Sequence, residues 1–593
     1  MKDLKWKVGG AQGEGIDSTG EIFAITLNRL GYYLFAYRHF MSLIKGGHTN
    51  YKVRIASEPV NYHGDDLDIL IAFDQRTIDE NYRELRDDSI VIYDSSKFEA
   101  KIPEALNIKN CPVPIYDIAS ELGNVIMKNM VAAGASCAAV GLDLSVFDEV
   151  IEDIFKKKGD KIISANKEAL TKGYQYFKEN YPEVKLDLPE KKGKLKEHLF
   201  ITGNEGVGLG ALNGGCRFLA AYPITPATEI MYQALSVFPK YGGRIIQAED
   251  EIAACLMAIG GNYTGTRSMT STSGPGLSLM MESLGLAGIS ETPLVIVDVQ
   301  RGGPGTGLPT KTEQSDINEM IYGSHGEIPR IVITPTTIDE AFYFIQHAFN
   351  LAERYQCPVI VGTDLFLGMS KKSIADLDFA KIEINRGRLV KDEELLKIDQ
   401  GMFKRYDLGI KTGISPRSIP GQKNGRFVAL GNEHDETGYE IEEPELRKKM
   451  MDKRARKLSN FNPPELKAYY SGEEQVDTLL IGFGSTFGQI GEAYRYLKEK
   501  GEKTAHLQLK LLQPFPVENV KDKIKKAKKV FVVENNSTGQ LKQIIKREIA
   551  EHDKLISILK YDGNPFTVEE ITDAVNTMWQ TKRPLVTTEG VRV

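Results

Sequence analysis

The segment Tyr222-Pro223-Ile224-Thr225-Pro226 is well suited to hold a small molecule at a defined position. Its two prolines stiffen the backbone and exclude a helix interior, so the Thr225 hydroxyl is presented with little conformational freedom. Such a hydroxyl can bond an oxygen atom of a bound molecule. An ordinary proline-bounded turn between a strand and a helix is the structural alternative, and the residues alone leave both interpretations open.

Three acidic residues, Glu249, Asp250 and Glu251, stand directly in front of an apolar helical pattern. Acids are common in a first helical turn because they complement the helix dipole. The alternative is that one acid points inward from the helix start and binds a nitrogen atom of a heterocycle. The turn Thr270–Gly276, which contains Ser273, is small and polar enough to admit a flat ligand. These residues are therefore candidates for ligand binding.

A glycine-rich segment, Arg301–Gln314, follows the buried strand pattern Pro293–Val299. Ligands of open α/β sheets bind beside the carboxyl ends of strands, which is where Arg301 is expected. Its guanidinium group could hold a carboxylate through two parallel hydrogen bonds. The structural alternative is a surface arginine in front of a flexible connection, and the position at a strand end favours the binding role.

Three other glycine-rich segments carry weaker signals. Gly9–Gly15 follows the strand pattern KWKV and could place backbone N–H groups on a phosphate, but the GxGxxG register is not met. Lys45–His48 could likewise face an anion or form a simple turn. Gly203–Gly210 is interpreted as a turn before a helix, and because no Walker-type lysine follows it, helix packing is the favoured role.

Short apolar runs that alternate with helical patterns must position these residues. Such runs predict buried parallel strands, so the expected fold class is α/β with several domains. The expected boundaries are 1–185 and 198–370 for two α/β domains, 186–197 for a linker, 371–470 for an irregular connecting segment, and 471–593 for a third α/β domain.

The overall composition is that of an ordinary globular protein, with 41% hydrophobic and 26% charged residues. A length of 593 residues indicates about three to five domains. The formal charge of −6 excludes a strong basic field for nucleic acid or an anionic membrane. No apolar stretch approaches membrane-spanning length and no secretory signal is visible, so a cytoplasmic location is expected.

The cysteines do not form a pattern that predicts a disulfide or a metal site. There are five of them, an odd number, and no two have the CxxC spacing. An iron–sulfur cluster held by this chain alone is not expected, because a cluster needs about four thiolates brought together. The nine histidines are scattered, which argues against a zinc site, so no metal ligand is assigned.

Taken in order, the motifs YPITP, QAEDE, TSTSGPG and RGGPGTGLPTKTEQ resemble the α subunit of 2-oxoacid:ferredoxin oxidoreductases. GGAQGEG and KGGHTNYKVRI look like the γ domain of that family, which points to the fused γ–α form. LLQPFP and ENNSTGQL resemble its later α-subunit regions, so the resemblance covers essentially the whole chain. It implies a Rossmann-like γ domain at 1–185, a pyrimidine-type thiamine-diphosphate-binding domain at 198–370 and a transketolase C-terminal-like domain at 471–593.

The resemblance implies CoA-dependent oxidative decarboxylation of a 2-oxoacid with thiamine diphosphate, with the electrons passing through iron–sulfur clusters to ferredoxin. A carboxylic acid of the chain would bond the aminopyrimidine ring of the cofactor. The distance along the sequence to the TSTSGPG turn, compared with the family, favours Glu251, with Glu249 as the fallback. Ser273 would lie beside the same ring.

Two further residues acquire roles from the resemblance. Thr225 would bond the carboxylate or the oxo group of the substrate. Arg301, helped by Thr310, would pair with that carboxylate. One departure from the family pattern is Ala227, where serine is frequent, and this puts one hydroxyl contact in doubt.

The family binds the diphosphate of its cofactor through a magnesium motif of the GDG…N type. Neither that motif nor a set of cluster cysteines is found in this sequence. The resemblance therefore implies a β subunit that carries Mg2+ and a [4Fe-4S] cluster, in an αβ heterodimer or its dimer.

Two alternatives are kept beside a preference for 2-oxoglutarate. The first is a relative that prefers pyruvate or indolepyruvate, which would share the thiamine chemistry and differ in the pocket for the substrate side chain. The second is a non-catalytic nucleotide-binding scaffold, which would need neither the YPITP loop, nor an inward Glu251, nor a β subunit.

Overall fold

The computed structural model describes residues 3–42, 47–103, 105–190, 198–398, 401–550, 553–580 and 591–592. The predicted segment Lys45–His48 and the predicted linker 186–197 lie partly outside these residues. The chain divides into two compact units, of which the first comprises Met1–Thr202 and Met369–Leu377 and the second the remainder. The five-part division expected from the sequence stays a prediction.

Strands and helices alternate along most of the described chain, as the sequence predicts. The strands are β1 (Asp3–Ala11), β2 (Tyr33–His39), β3 (His48–Ala56), β4 (Leu67–Ala72), β5 (Leu85–Asp94), β6 (Lys109–Val113), β7 (Leu199–Thr202), β8 (Phe218–Ala221), β9 (Arg244–Gln247), β10 (Ser268–Thr272), β11 (Leu294–Gln300), β12 (Ile331–Ile333), β13 (Pro358–Asp364), β14 (Lys371–Ile374), β15 (Tyr469–Ser471), β16 (Val476–Phe483), β17 (Thr504–Leu509), β18 (Leu511–Gln513), β19 (Ala527–Glu534), β20 (Leu555–Leu559) and β21 (Val591–Arg592). The α-helices are α1 (Ile16–Arg29), α2 (Gln75–Asn81), α3 (Ile115–Glu121), α4 (Lys128–Ala139), α5 (Asp148–Phe155), α6 (Asp160–Asn180), α7 (Gly203–Asn213), α8 (Thr228–Val237), α9 (Glu251–Tyr263), α10 (Gly274–Leu279), α11 (Met281–Ile289), α12 (Ile317–Tyr322), α13 (Ile338–Tyr355), α14 (Leu365–Met369), α15 (Asp392–Leu395), α16 (Pro444–Arg456), α17 (Phe487–Glu499), α18 (Val517–Lys525), α19 (Gln540–Glu548) and α20 (Val568–Gln580).

The first unit is built on a mixed sheet with the strand order β6-β5-β4-β1-β3-β2-β14-β7. Strands β6, β5, β4 and β1 are parallel, but β3 pairs antiparallel with both β1 and β2. The prediction of a parallel sheet is therefore correct for β6, β5, β4 and β1 and wrong for β3. Strand β3 follows β2 along the chain without a crossover helix, so these two strands pair antiparallel. Leu4, Trp6 and Val8 of β1 enter the main hydrophobic core of the unit.

The glycine-rich turn of the first unit lies between β1 and α1. Gly9 and Gly10 belong to the strand, and the helix begins directly after Gly15, whose φ is 82°. Asn129 packs so closely against Gly15 that a Cβ atom there would collide with its side-chain amide. The phosphate contact considered for this turn stays a prediction.

The second unit contains two sheets. The first has the order β18-β12-β13-β11-β10-β8-β9 and is parallel except at β18. The second has the order β15-β17-β16-β19-β20-β21 and is parallel except at β15. Every residue of β11, at the centre of the first sheet, is buried, as expected for a parallel strand covered on both faces.

The glycines of Gly203–Gly210 lie within α7 and not in a turn before a helix, so that part of the prediction is wrong. A Cβ atom at Gly203 would collide with the carbonyl oxygen of Leu367, and one at Gly210 with that of Phe342 on α13. The favoured helix-packing role is thereby confirmed, since only glycine permits these backbone approaches.

The segment predicted as irregular has few regular elements. Buried charges hold part of it against the rest of the second unit. The Glu291 carboxylate is fully buried and lies 2.7 Å from both the Lys453 and the Lys457 ammonium groups. Arg405 donates a hydrogen bond of 2.7 Å to the Glu291 carbonyl. Although burial opposes ionisation, Lys457 and Lys453 hold the pKa of Glu291 well below its usual range.

The described residues bear on the state of the cysteines, on metal binding and on membrane-spanning helices. All five cysteines are buried and free. In the described ranges, no three His, Cys, Asp or Glu side chains are grouped so as to hold a metal ion. No helix there is both long and apolar enough to cross a membrane.

Candidate active site

The predicted site residues of the second unit follow three neighbouring parallel strands. The loop that contains Thr225 follows β8, Ser273 follows β10 and Arg301 follows β11. In the sheet, β10 pairs in parallel with both β8 and β11. Because the carboxyl ends of parallel strands meet at one edge of a sheet, the fold brings these three segments together.

Arg301 is buried, with 6% of its surface exposed. Its Nη1 atom donates a hydrogen bond of 2.6 Å to the Thr225 carbonyl, and Nη2 donates one of 3.1 Å to the Thr306 carbonyl. Its Nε–H group has no partner within the described chain. The guanidinium group thus connects the two loops through neutral carbonyls and keeps one buried donor for an additional acceptor.

Thr225 is half-buried on the loop that Arg301 holds. The loop leads into α8, and Ala227 before the helix is buried in the core formed with Ile230 and Met231. The position at which the family frequently has serine therefore packs into the hydrophobic core in this chain.

The two candidate glutamates differ sharply in environment. Asp250 caps α9 by accepting a hydrogen bond of 2.7 Å from the Ala253 N–H group. Glu251 is the first residue of that helix and is 5% exposed, whereas Glu249 is exposed. Burial, with the neighbouring Asp250 as a further cause, raises the pKa of Glu251. Of the two acids, only Glu251 lies at a buried position.

Gly276 on α10 lies directly against the Glu251 carboxyl group. A Cβ atom at Gly276 would lie 2.5 Å from Glu251 Oε1 and would also collide with Thr272 Oγ1. The hydroxyl groups of Thr270, Ser271 and Ser273 are buried and have no partner within the described chain. The Glu251 carboxyl group thus packs directly against Gly276, and β10 ends in buried hydroxyl groups whose hydrogen-bonding capacity is unused within the described chain.

The glycine-rich loop that contains Thr310 is bonded to the C-terminal part of the second unit. Thr310 is buried, and the Thr312 N–H group donates a hydrogen bond of 3.1 Å to the Gly563 carbonyl. Gln314 and Asn535 exchange two hydrogen bonds, Gln314 N–H to the Asn535 carbonyl at 2.7 Å and Asn535 N–H to Gln314 Oε1 at 3.2 Å. The loop is therefore fixed at its far end.

Two acids at this edge of the sheet, one buried and one half-buried, were not singled out from the sequence. Asp298 lies in β11 with no exposed surface, and Asp316 stands directly before α12. Neither Asp298 carboxyl oxygen nor Asp316 Oδ2 has a hydrogen-bond partner within the described chain. The available signal for Asp298 is an aspartate inside the otherwise apolar run Leu294–Val299.

Three family models match the chain, one after another. Residues 5–176 match "Pyruvate ferredoxin/flavodoxin oxidoreductase". Residues 209–453 match "Pyruvate flavodoxin/ferredoxin oxidoreductase" in its thiamine-diphosphate-binding part. Residues 476–571 match "Pyruvate:ferredoxin oxidoreductase core domain II".

Curated relatives span nearly the whole chain. The α subunit of the 2-oxoacid:ferredoxin oxidoreductase of Sulfolobus sp is 32% identical over 631 aligned positions, which cover 96% of this chain and 96% of the relative. The KorA subunit of 2-oxoglutarate synthase from Methanothermobacter thermautotrophicus is 36% identical over 64% of this chain and 99% of its own length.

A solved structure has the same fold over the whole chain. It is the 2-oxoglutarate:ferredoxin oxidoreductase from Magnetococcus marinus, with 2-oxoglutarate, coenzyme A and succinyl-CoA bound. The TM-score is 0.91 at 37% identity, over 98% of this chain and 100% of that chain. The multidomain α/β fold expected from the sequence is confirmed. The chain belongs to the 2-oxoacid:ferredoxin oxidoreductases, as an α subunit with a thiamine-diphosphate-binding domain.

Proposed function

We propose that this α subunit oxidatively decarboxylates 2-oxoglutarate, or a broader set of 2-oxoacids, to an acyl-CoA and CO2 with reduction of ferredoxin. The observation that carries the proposal is the buried Arg301, which bonds the Thr225 loop and retains an unpartnered Nε–H group. Further support comes from the 37% identity to the Magnetococcus marinus enzyme, whose structure contains 2-oxoglutarate and coenzyme A.

Arg301 would bind the carboxylate of the 2-oxoacid. A buried guanidinium group is stable only when it is paired or hydrogen-bonded, and carbonyl oxygens alone leave its charge uncompensated. A substrate carboxylate would supply the missing negative charge and accept the free Nε–H bond. The Thr225 hydroxyl, on the loop that Arg301 holds, would bond the same carboxylate or the oxo group, and Thr310 would assist.

The residues around Glu251 fit the aminopyrimidine ring of thiamine diphosphate. Burial raises the pKa of Glu251, so its carboxyl group keeps a proton more readily than an exposed glutamate and can share it with a ring nitrogen. Gly276 lets the Glu251 carboxyl group pack against the start of α10, and the unpartnered Ser273 hydroxyl at the same helix start would bond a polar ring. When bound, the cofactor supplies the carbanion chemistry that cleaves the bond between the carboxylate and the oxo carbon.

A β subunit would cover the outer face of α9. Ile252, Leu256 and Met257 are 43%, 39% and 41% exposed on the helix that begins with Glu251. Grouped exposed apolar side chains next to a polar site commonly mark a protein interface. We place the β subunit there, with the Mg2+ ion, the diphosphate contacts and the [4Fe-4S] cluster on its side of the interface.

The proposal is tested by reconstitution of the chain with a family β subunit and thiamine diphosphate, followed by assay with 2-oxoglutarate, pyruvate and indolepyruvate. Coenzyme A and a viologen dye would serve as acceptors. We expect the highest kcat/KM with 2-oxoglutarate. A clear preference for pyruvate or indolepyruvate would replace the substrate assignment, and a colourless chain that ignores both thiamine diphosphate and the β subunit would support the scaffold alternative.

A further inference from the structure

The segment 534–541, with the sequence ENNSTGQL, forms the carboxyl end of β19 and the start of α19. The proposed chemistry gives it no role, yet most of its residues are buried. Its neighbour in the fold is the stretch 314–318, which directly continues the glycine-rich loop that begins with Arg301. Because the two segments are hydrogen-bonded to each other, 534–541 is called the brace segment.

Two side chains of the brace segment hydrogen-bond the stretch after the loop. Asn536 Nδ2 donates a bond of 3.1 Å to the Gln314 carbonyl. Gln540 Nε2 donates one of 2.7 Å to the Ser315 carbonyl, and Gln540 Oε1 accepts one of 3.0 Å from the Asn318 N–H group. The brace segment thus fixes main-chain groups of Gln314, Ser315 and Asn318, in addition to the pair of bonds already described for Gln314.

The Asn536 side chain is held in one orientation. Asn536 is 1% exposed, and its Oδ1 atom accepts a hydrogen bond of 2.7 Å from the Gly539 N–H group. Its Nδ2 atom donates a second bond, of 2.9 Å, to Oε2 of the fully buried Glu534. Because only the oxygen of an amide group can accept from a backbone N–H, the Gly539 bond decides which way round the group lies. The N–H donor of Asn536 is therefore directed at the Gln314 carbonyl.

The Gln314 side chain connects the same point to two other strand ends. Gln314 is 1% exposed, and its Nε2 atom donates bonds of 3.2 Å to both Asp364 Oδ2 and the Phe483 carbonyl. Asp364 is the last residue of β13 and Phe483 the last of β16, whereas the brace segment follows β19. Gln314 thus joins carboxyl ends of strands from both sheets of the second unit.

The fixed end lies close to Arg301 along the loop. Gly302 directly follows Arg301, and its N–H group donates a hydrogen bond of 3.1 Å to the Lys311 carbonyl. The Gly302 carbonyl in turn accepts one of 2.7 Å from the Leu308 N–H group. Lys311 precedes Gln314 by three positions, so a displacement of Gln314 reaches the main chain beside Arg301 through a short, hydrogen-bonded path.

We propose that Asn536 is a positioning residue for the 2-oxoacid, through which the C-terminal sheet holds the Arg301 loop in its substrate-binding position. The inference rests on the proposed function, in which Arg301 binds the substrate carboxylate. Asn536 acts on the Gln314 main chain and, through the loop, on Arg301. Loss of its N–H donor would free a loop whose order must then be restored when the substrate binds, and this ordering reduces the net binding free energy.

The test measures steady-state kinetics of the reconstituted αβ complex with Asn536→Asp. The carboxylate keeps the shape of the amide and its acceptor oxygen, but it places an oxygen in front of the Gln314 carbonyl and the Glu534 carboxylate. We expect the KM for 2-oxoglutarate to rise at least about fivefold, because a buried hydrogen bond is replaced by a repulsion. The kcat should stay within about twofold of the parent, since bound substrate orders the loop. An unchanged KM contradicts the inference.

Val575→Ala is the matched control for general destabilisation. Val575 packs with Leu480 on one face of the C-terminal sheet, whereas Leu541 at the start of α19 packs with Leu479 and Ile481 on the other face. The variant should lower the unfolding temperature and leave the KM for 2-oxoglutarate unchanged. An equal rise in KM would show that loss of stability, and not positioning, is responsible, and the inference would be wrong.

Hydrogen–deuterium exchange provides a second measurement, which does not depend on catalysis. The amide groups of residues 302–314 should exchange faster in Asn536→Asp than in the parent and in Val575→Ala, because the loop has lost a bond at its fixed end. Parent-like exchange of this loop in Asn536→Asp contradicts the inference.

Two additional variants keep the outcome decisive. If Asn536→Asp does not fold, Gln540→Ala takes its place, because it removes the bonds to Ser315 and Asn318 and should raise the KM roughly threefold. An unchanged KM in that variant contradicts the inference equally. Arg301→Gln tests the proposed function separately, since an unchanged KM would refute the substrate role of Arg301 itself. A raised KM in Arg301→Gln together with parent-like kinetics in Asn536→Asp would refute only the role of Asn536.

Discussion

Different nitrogen atoms of the Arg301 side chain serve different purposes. Its terminal nitrogens bond the carbonyls of Thr225 and Thr306, so they define the positions of two loops. Its Nε–H group stays available for a ligand. A lysine could not replace it, because an ammonium group lacks the planar set of donors that contacts several acceptors in fixed directions.

Thr225→Ala is expected to lower kcat/KM for the 2-oxoacid by roughly tenfold to a hundredfold, the loss typical of one hydrogen bond to a charged partner. Thr225→Ser keeps the hydroxyl and should remain within about threefold of the parent. Steady-state kinetics of the reconstituted complex measure both. Equal losses in the alanine and serine variants would show that the methyl group, and not the hydroxyl, is what matters.

Gly276→Ala should weaken thiamine diphosphate binding by more than about tenfold, because its Cβ atom would lie 2.5 Å from Glu251 Oε1 and displace that carboxyl group. Gly491→Ala on α17 is the matched control, since a Cβ atom at Gly491 would meet nothing closer than His506 Nδ1 at 3.9 Å. Cofactor titration followed by thermal shift measures the affinity. Unchanged affinity in Gly276→Ala would place the ring elsewhere.

At the scale of elements, the strand ends were the most predictable feature. The apolar run before Arg301 predicts the carboxyl end of a buried parallel strand, and in the structure Arg301 directly follows β11. The glycines of α7 were predicted to form a turn because glycine has low helix propensity. Only the packing of the helix against Leu367 and Phe342 explains why glycine occupies these positions. Single-sequence patterns do not contain such tertiary contacts.

Asp298 and Asp316 could not be singled out from the sequence for a related reason. Asp298 is one polar residue in an apolar strand, and Asp316 stands before a helix that is distant in sequence, so only the fold brings both to one edge of the sheet. The spacing to the TSTSGPG turn, compared with the family, favours Glu251 over Glu249, and the structure adds that only Glu251 is buried. The role of each residue at the site remains a proposal.

The connecting segment depends on the buried Glu291 cluster, so Glu291→Gln should lower the free energy of unfolding by about 3 kcal/mol or more. The cause is that Lys453 and Lys457 would stay buried without a counter-charge. Because the pKa of Glu291 is depressed, its contribution is present above the pKa of an unfolded glutamate and is lost as the pH falls below it. Urea unfolding measured at neutral and acidic pH checks both statements.

The exposed Glu442 provides the control for that experiment. Glu442→Gln should change the free energy of unfolding by less than about 0.5 kcal/mol. A Glu291→Gln variant as stable as this control would show that the cluster does not hold the connecting segment.

For the whole molecule, the outer face of α9 is the proposed contact with the β subunit. Met257→Glu should weaken association with the β subunit at least about tenfold, because it places a charge in a desolvated apolar contact. The unfolding temperature of the isolated chain should be unchanged, since Met257 is 41% exposed. Analytical ultracentrifugation of mixed subunits measures the association.

Leu396→Glu is the corresponding control, because Leu396 is 58% exposed and lies in the connecting segment. It adds the same charge at an exposed apolar position and should leave association intact. Normal association in Met257→Glu would move the β subunit to a different face.

The bonds between Gln314 and Asn535 have a consequence for synthesis of the protein. The two residues are 221 positions apart, so the loop after Arg301 obtains its fixed end only when the last part of the chain has been translated. Domains generally fold as units in the order in which they leave the ribosome. The substrate site should therefore be the last region to become ordered, and a nascent chain that stalls before Asn535 would retain a folded first unit without a competent Arg301 loop.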